Sequence, residues 1–332
     1  MAAEIIFITG STGFIGSHVV AVTLAAGYRV RLSIRKPEQA KAIFDRYPEY
    51  TSQIETVIVK DITNAESYGQ NLKDVSYVVH IASPMPGAGD DVEADFVRPA
   101  VRGTTAILDA ALHYPSIKKV IIDSSCLAFI TADTLSKPNV TLRDNTHEVI
   151  PFDTKAQFPE GSKGRGLKYA GSKILAHQAA RDWLATYQPP FVVNTLHATF
   201  VLGDSLVQTS AENIDFINGL FWQSLFSTEP LIPASWVHVR DVADAHVSAI
   251  RAETTSGQEF LLSQPTLSWD GAVDLIRGKY PGLGCTLQPP FEGKWTTDVT
   301  TAESVLKLKF RSLETIVTDV VDQQLRLKDD RQ

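Results

Sequence analysis

The sequence predicts an α/β protein: a doubly wound parallel sheet with a smaller lobe toward the C-terminus. Three observations lead there. Short apolar runs alternate with helical patterns through the first half of the chain, the mark of βαβ units. The stretch Thr9-Gly10-Ser11-Thr12-Gly13-Phe14-Ile15-Gly16 joins the first such run to the first helix. After Gly203 the texture changes, and Asp204 to Trp236 contains no Lys or Arg.

Taken in order, Ile5 to Thr9 reads as a buried strand and Phe14 to Ala26 as a helix stopped by Gly27. Arg29 to Ile34, Thr56 to Val59 and Val75 to Ile81 read as the next strands. Val97 to Ala111 is a long helix, followed by a strand over Lys119 to Asp123. Thr131 to Gly166 is rich in polar and turn residues, and a loop of that length is often a functional lid. Tyr169 to Tyr187 is a helix closed by Pro189-Pro190, and Phe191 to Leu196 the sixth strand. Right-handed crossovers then place ligands at the carboxyl ends of the strands. The expected division is a dinucleotide-binding domain over 1–202, with 237–262 returning to it. A small substrate-binding lobe takes 203–236 and 263–332. Phe216, Leu220, Phe221, Trp222, Leu225 and Phe226 recur at helical spacing there, as core, as pocket lining, or as both on different faces.

Composition narrows the function. With 44% hydrophobic and 21% charged residues among 332, disorder, collagen-like repeats and coiled coil are excluded. A net charge of -7 gives no footprint for nucleic acid or an anionic membrane. Cys126 and Cys285 cannot build a disulfide framework, and no apolar run is long enough to span a bilayer. The N-terminal stretch lacks the basic region of a signal peptide and Asp-Asp-Arg-Gln at the C-terminus is no targeting signal, so the expectation is a cytoplasmic protein.

In the glycine turn, Gly10 permits the tight bend and Gly13 lets backbone approach a pyrophosphate. Gly16 lets helix and sheet pack closely, while the helix start, with Ser11, Thr12, Phe14 and Ile15, offers N–H donors. That is dinucleotide binding. An NAD site usually has an acid after the second strand for the ribose 2′-hydroxyl. Here stand Arg35 and Lys36, with Lys41 beyond, so NADP is preferred over solvated charges at a strand end. Asp61 and Ile62 are placed for the adenine, or for a simple turn.

Tyr169 and Lys173 lie four positions apart at the expected helix start, hence on one face. A cation beside a phenol eases the phenol's proton exchange with a substrate oxygen. Ser124-Ser125 ends the fifth strand, where a serine is either a local cap or a hydroxyl aimed at the ligand crevice. Hydride from a cofactor, a proton through Tyr169 and a serine on the oxygen complete a site.

These residues resemble the extended short-chain dehydrogenase/reductase superfamily, in its dihydroflavonol-reductase-like branch of fungal and yeast carbonyl, aldehyde and methylglyoxal reductases. Besides the Rossmann-type glycine turn and Tyr169/Lys173, the resemblance rests on Val79-His80-Ile81-Ala82-Ser83-Pro84, on Val97 to Thr104 and on Trp236 to His246. It implies Ser125 as the catalytic serine, Tyr169 as general acid and Lys173 as the cofactor-binding lysine. It implies Ala82 and Ser83 at the nicotinamide ribose, Arg35 at the 2′-phosphate, and backbone contact to nicotinamide near Val201. His238 and Asp241 look like structural ties between the lobes, and no spacing supports a metal. One departure stands out: Leu196-His197-Ala198 replaces the Asn-Pro or Arg-Pro often found there. Cys126 stands where many relatives carry a smaller residue and reads as a pocket wall. Pro84, Met85, Leu127, Phe129, Phe221 and Trp222 are the expected pocket.

The expectation is an NADPH-dependent reductase of a ketone or aldehyde, hydrophobic or aromatic, as monomer or homodimer. The alternatives are a nucleotide-sugar epimerase or dehydratase, which needs cations for a diphosphate, a 3β-hydroxysteroid-type dehydrogenase, and a non-enzymatic NADP redox sensor.

Overall fold

The computed structural model describes residues 4–84, 89–131, 134, 137, 139–291 and 294–329. Chain order begins β1 (Ile5–Thr9), α1 (Phe14–Ala25), β2 (Arg29–Ile34), α2 (Gln39–Arg46), β3 (Ile54–Ile58) and β4 (Tyr77–His80). There follow α3 (Arg98–Ala111), β5 (Lys119–Ser125), β6 (Asn139–Arg143), α4 (Gly161–Tyr187), β7 (Val192–Ala198) and β8 (Phe200–Leu202). The remainder is α5 (Phe216–Ser224), β9 (Trp236–His238), α6 (Val239–Arg251), β10 (Glu259–Leu262), α7 (Trp269–Lys279), β11 (Lys294–Asp298), α8 (Thr300–Val305) and α9 (Leu313–Asp329).

Among the described residues, seven strands form one sheet in the order β3-β2-β1-β4-β5-β7-β10, with every pairing parallel. Parallel strands covered on both faces are apolar throughout, which is why they read as short continuous runs. Val19 and Val20 of α1 and Val242 and Ala245 of α6 pack on one face. Ala106 and Ile107 of α3 and Trp183 of α4 pack on the other. Strand order reverses between β1 and β4, and the crevice for a ligand opens at their carboxyl ends.

Two local expectations need correction. The helix bearing Tyr169 starts at Gly161, not at Tyr169. The Gly-Ser-Lys-Gly-Arg-Gly run has poor helix propensity, and packing overrides it. The stretch expected as a lid contains β6, which pairs in parallel with β11 in a separate two-stranded sheet. Its next residues strap the sheet edge: Asn145 receives the Glu259 N–H and donates Nδ2 to the Glu259 carbonyl, both at 2.9 Å. That is how a side-chain amide caps the open edge strand β10. Phe152 and Phe158 stack at 5.7 Å, and Phe152 lies so close to Gly171 that a Cβ there would meet its ring at 2.0 Å. The segment thus presses on the face of α4 opposite Tyr169 and Lys173.

An aromatic cluster anchors the elements after β7. Phe221 stacks on Trp269 at 5.4 Å and meets Trp236 edge-on at 5.3 Å. Phe221 is 0% exposed, so it is core and not pocket wall. Trp222 is half-buried and packs edge-on against Phe226, with the Lys328 ammonium 4.6 Å above its ring. A segment free of cations in sequence is therefore not free of them in space.

His238 and Asp241 both bond to the C-terminal segment. His238 Nδ1 accepts from Arg240 N and its Nε2 donates to Asp319 at 3.0 Å, while Asp241 accepts from Arg311 N at 2.9 Å. Burial foremost pushes His238 down to about 4. Asp204, His238 and Asp319 come close enough to suggest a metal site, but the Arg240 guanidinium bonds Asp319 and fills the cation's place. Among the described residues no helix is long and apolar enough to cross a membrane.

Candidate active site

The crevice floor is set by Thr9 at the end of β1. Its hydroxyl accepts from Ile81 N at 3.2 Å and Ala82 N at 3.1 Å, and lies 2.9 Å from His80 Nδ1. With both lone pairs used, the hydroxyl proton goes to His80, whose ring burial holds neutral, down to about 4. The end of β4 is thereby locked onto β1. Gly10, at φ +74°, passes so close that a Cβ would sit 2.8 Å from Ala82 N. At Gly16 a Cβ would sit 2.0 Å from the Gly10 carbonyl. Both glycines are needed for close approach. Gly13 is the N-cap of α1 and makes no side-chain cap, so the first N–H groups of the helix face the crevice unsatisfied by side chains.

Around this turn, Phe14 and Ile15 pack against the core beneath the sheet and Ser11 Oγ donates to Ser33 O at 3.4 Å. Gln39, which sequence reasoning missed, joins two pieces. Its Oε1 accepts from Arg35 N and Lys36 N, and its Nε2 donates to Thr12 Oγ1 at 3.3 Å. The turn after β2 is so pinned beside the glycine turn, and Arg35 and Lys36 are exposed. Neither side chain has an ion-pair partner among the described residues. Asp61 accepts from Thr63 N at 2.9 Å and Thr63 Oγ1 at 2.7 Å, bonds that hold its carboxyl below the usual range. It is a turn residue first, with Ile62 half-buried against the α3 side of the sheet.

Lys173 reaches Ser83 Oγ at 2.9 Å, and its ammonium stands 5.4 Å from the centre of the Tyr169 ring. A void of about 20 Å³ lies between Ser83, Ser124 and Lys173, with Pro84 and His177 also lining it; that is room for about one water. Ser125, the last residue of β5, caps the one-turn helix Cys126–Phe129 by accepting from Leu127 N at 3.2 Å. The cap uses a lone pair of the hydroxyl and not its proton. Leu127 and Phe129 are half-buried in a small cluster around β6, and Cys126 is buried, its thiol pushed up to about 12 by burial. Val201 is buried and pairs with Val237 across β8 and β9. Met85 lies outside the described residues.

Two parts of the site were not found from sequence. Asp123, next to Ser124, is largely enclosed, and its carboxyl is pushed up to about 7, chiefly by desolvation, with Lys173 opposing. A second group centres on Glu259, which is 1% exposed and takes bonds from His177 at 2.9 Å and Arg181 at 2.8 Å. The signal was present: Tyr169, Lys173, His177 and Arg181 recur every fourth residue along α4.

The family model described as the NAD dependent epimerase/dehydratase family matches residues 6–203. The ketoreductase sphI of Aspergillus fumigatus is 37% identical over 98% of this chain and 98% of its own. The crystal structure of Gre2 from Candida albicans in complex with NADPH superposes with a TM-score of 0.82 at 27% identity, covering 98% of this chain and 99% of that one. A UDP-glucuronic acid 4-epimerase from Bacillus cereus, 19% identical and covering 98% and 99%, reaches 0.70 and shares the fold. The chain belongs to the NAD dependent epimerase/dehydratase family, among the extended short-chain dehydrogenase/reductases.

Proposed function

We propose that the protein is an NADPH-dependent carbonyl reductase that converts a ketone or aldehyde lacking phosphate to its alcohol. The observation that carries this reading is the placement of Lys173 between Tyr169 and Ser83, beside the glycine turn at the start of α1. The ketoreductase and NADPH-complexed relatives support it. The residues present fit the cofactor. Gly10 and Gly16 let the turn fold tightly against Ala82 and itself, the start of α1 has no side-chain cap and can offer its N–H groups to a pyrophosphate, and Arg35 and Lys36 are exposed for a 2′-phosphate.

When bound, NADPH supplies the hydride to the carbonyl carbon. Tyr169 gives its hydroxyl proton to the carbonyl oxygen, and Ser125 donates a hydrogen bond to that oxygen as charge builds on it. Lys173 orients the phenol from one side and the ribose side of the crevice from the other. The segment from Asp204 to Trp236 supplies no Lys or Arg of its own for a diphosphate, and the Lys328 ammonium beside it is engaged over the Trp222 ring.

The test is a panel of ketones and aldehydes assayed with NADPH and NADH in parallel; consumption of NADPH matched by alcohol formation is the expected result, and indifference to both cofactors overturns it. Arg35→Ala should lower kcat/KM for NADPH by about tenfold to a hundredfold, the worth of a charge-assisted bond, and leave NADH turnover in place. Equal losses with both cofactors would remove Arg35 from the phosphate site.

A further inference from the structure

His197 is an unusual occupant of the strand that ends beside the site. It is 0% exposed, and burial foremost drives its imidazole well below the ordinary range, so the ring is neutral. Both nitrogens are committed. Nδ1 lies 3.2 Å from the Ser125 carbonyl oxygen, which can only accept, so Nδ1 carries the proton and donates. Nε2 then accepts from Thr195 Oγ1 at 2.8 Å. The ring lies against Phe129, tilted by 33° with centroids 4.2 Å apart, and it meets the His177 ring edge-on at 4.5 Å.

A buried imidazole needs both partners to break even. Leucine would fill the same space without that requirement, so packing alone does not call for histidine. What histidine adds is a tether. Ser125 is the last residue in register with β7, opposite Ala198, and beyond it the backbone turns away into the Cys126–Phe129 helix. The Leu127 N–H bond fixes the Ser125 side chain, and the Ser125 carbonyl, which as N-cap opens the helix, takes the His197 Nδ1–H as an added bond that ties this turn to β7. On the other side His177 sits one turn after Lys173 on α4 and is fixed by Glu259. The two imidazoles therefore stand between the helix that carries Tyr169 and Lys173 and the strand end that carries Ser125.

We infer that His197 is a positioning residue: its Nδ1–H bond to the Ser125 carbonyl, backed by Phe129 and His177, sets the distance of the Ser125 hydroxyl from the Tyr169 phenol. This rests on the carbonyl-reductase reading above. The residue never touches substrate or cofactor, so its effect falls on turnover and not on binding.

The experiment compares two variants of the full-length protein. His197→Phe keeps the stack and removes the donor; His197→Asn restores an N–H near the Nδ1 position. For each, kcat and KM for the best ketone are measured, with NADPH affinity by fluorescence titration and the melting midpoint. The expected pattern is a kcat about tenfold lower in the Phe variant, with KM and NADPH affinity within about twofold, and recovery of most of the loss in the Asn variant. A Phe variant with parental kcat, or equal losses in both variants, overturns the assignment. If the Phe variant does not fold, Thr195→Val frees the same imidazole, and a kcat lower by about threefold at unchanged KM is the expected result. Parental kcat there overturns it too. Failure of the underlying reading shows differently, as a parent protein whose reduction is absent or does not depend on Tyr169, and it takes this inference with it.

Discussion

Tyr169→Phe lowers kcat for NADPH-dependent ketone reduction by about 10²- to 10⁴-fold, the usual worth of a positioned general acid, while NADPH binding is retained. The substitution removes one oxygen and leaves the ring on which Lys173 packs at 5.4 Å. The Lys173 bond to Ser83 does not involve the phenol oxygen either, so the crevice keeps its shape. Steady-state rates with NADPH titration check both halves. Turnover near the parental level would mean that another group delivers the proton.

Glu259→Gln destabilises the protein by about 3 kcal/mol at neutral pH, within the range for breaking a buried ion pair. Glu259 accepts from His177, Arg181 and, at 3.0 Å, the backbone N–H of Asn145. Burial alone would raise its carboxyl, and these partners overcome it and bring it from 4.5 down to about 2. A depressed carboxyl contributes stability that is fully present above its unfolded value and is lost as pH falls through its folded one. The gap between parent and variant is therefore full at pH 7 and closes between about pH 4.5 and about 2. Thermal midpoints across that range check the sign, and a gap that widens on acidification would contradict it.

Much of the fold was legible because local and tertiary signals agree. Buried parallel strands such as Ile5–Thr9 must be apolar on both faces, and the glycine turn must follow the first of them. The spacing of Tyr169 and Lys173 puts them on one helix face, and the structure seats Lys173 between Ser83 and the Tyr169 ring.

What was not legible depends on partners far apart in sequence. Phe221 reads equally as core or pocket until Trp236 and Trp269 are known to surround it. β6 alternates buried and exposed residues over only five positions, and its partner β11 lies beyond residue 290. The first two turns of α4 are hidden by three glycines, Gly161, Gly164 and Gly166, whose cost is met by packing from the preceding segment. His197 was visible as a departure from the family pattern. Its role needed the contacts of Phe129 and His177, which only the fold supplies.

The central claim is net reduction by hydride transfer from NADPH to a carbonyl carbon, and labelled cofactor tests it most directly. With NADPH carrying deuterium at the transferred position, the account predicts one deuterium on the carbinol carbon of the product for each NADPH consumed. A product without label, or a substrate rearranged with no net loss of NADPH, would contradict it.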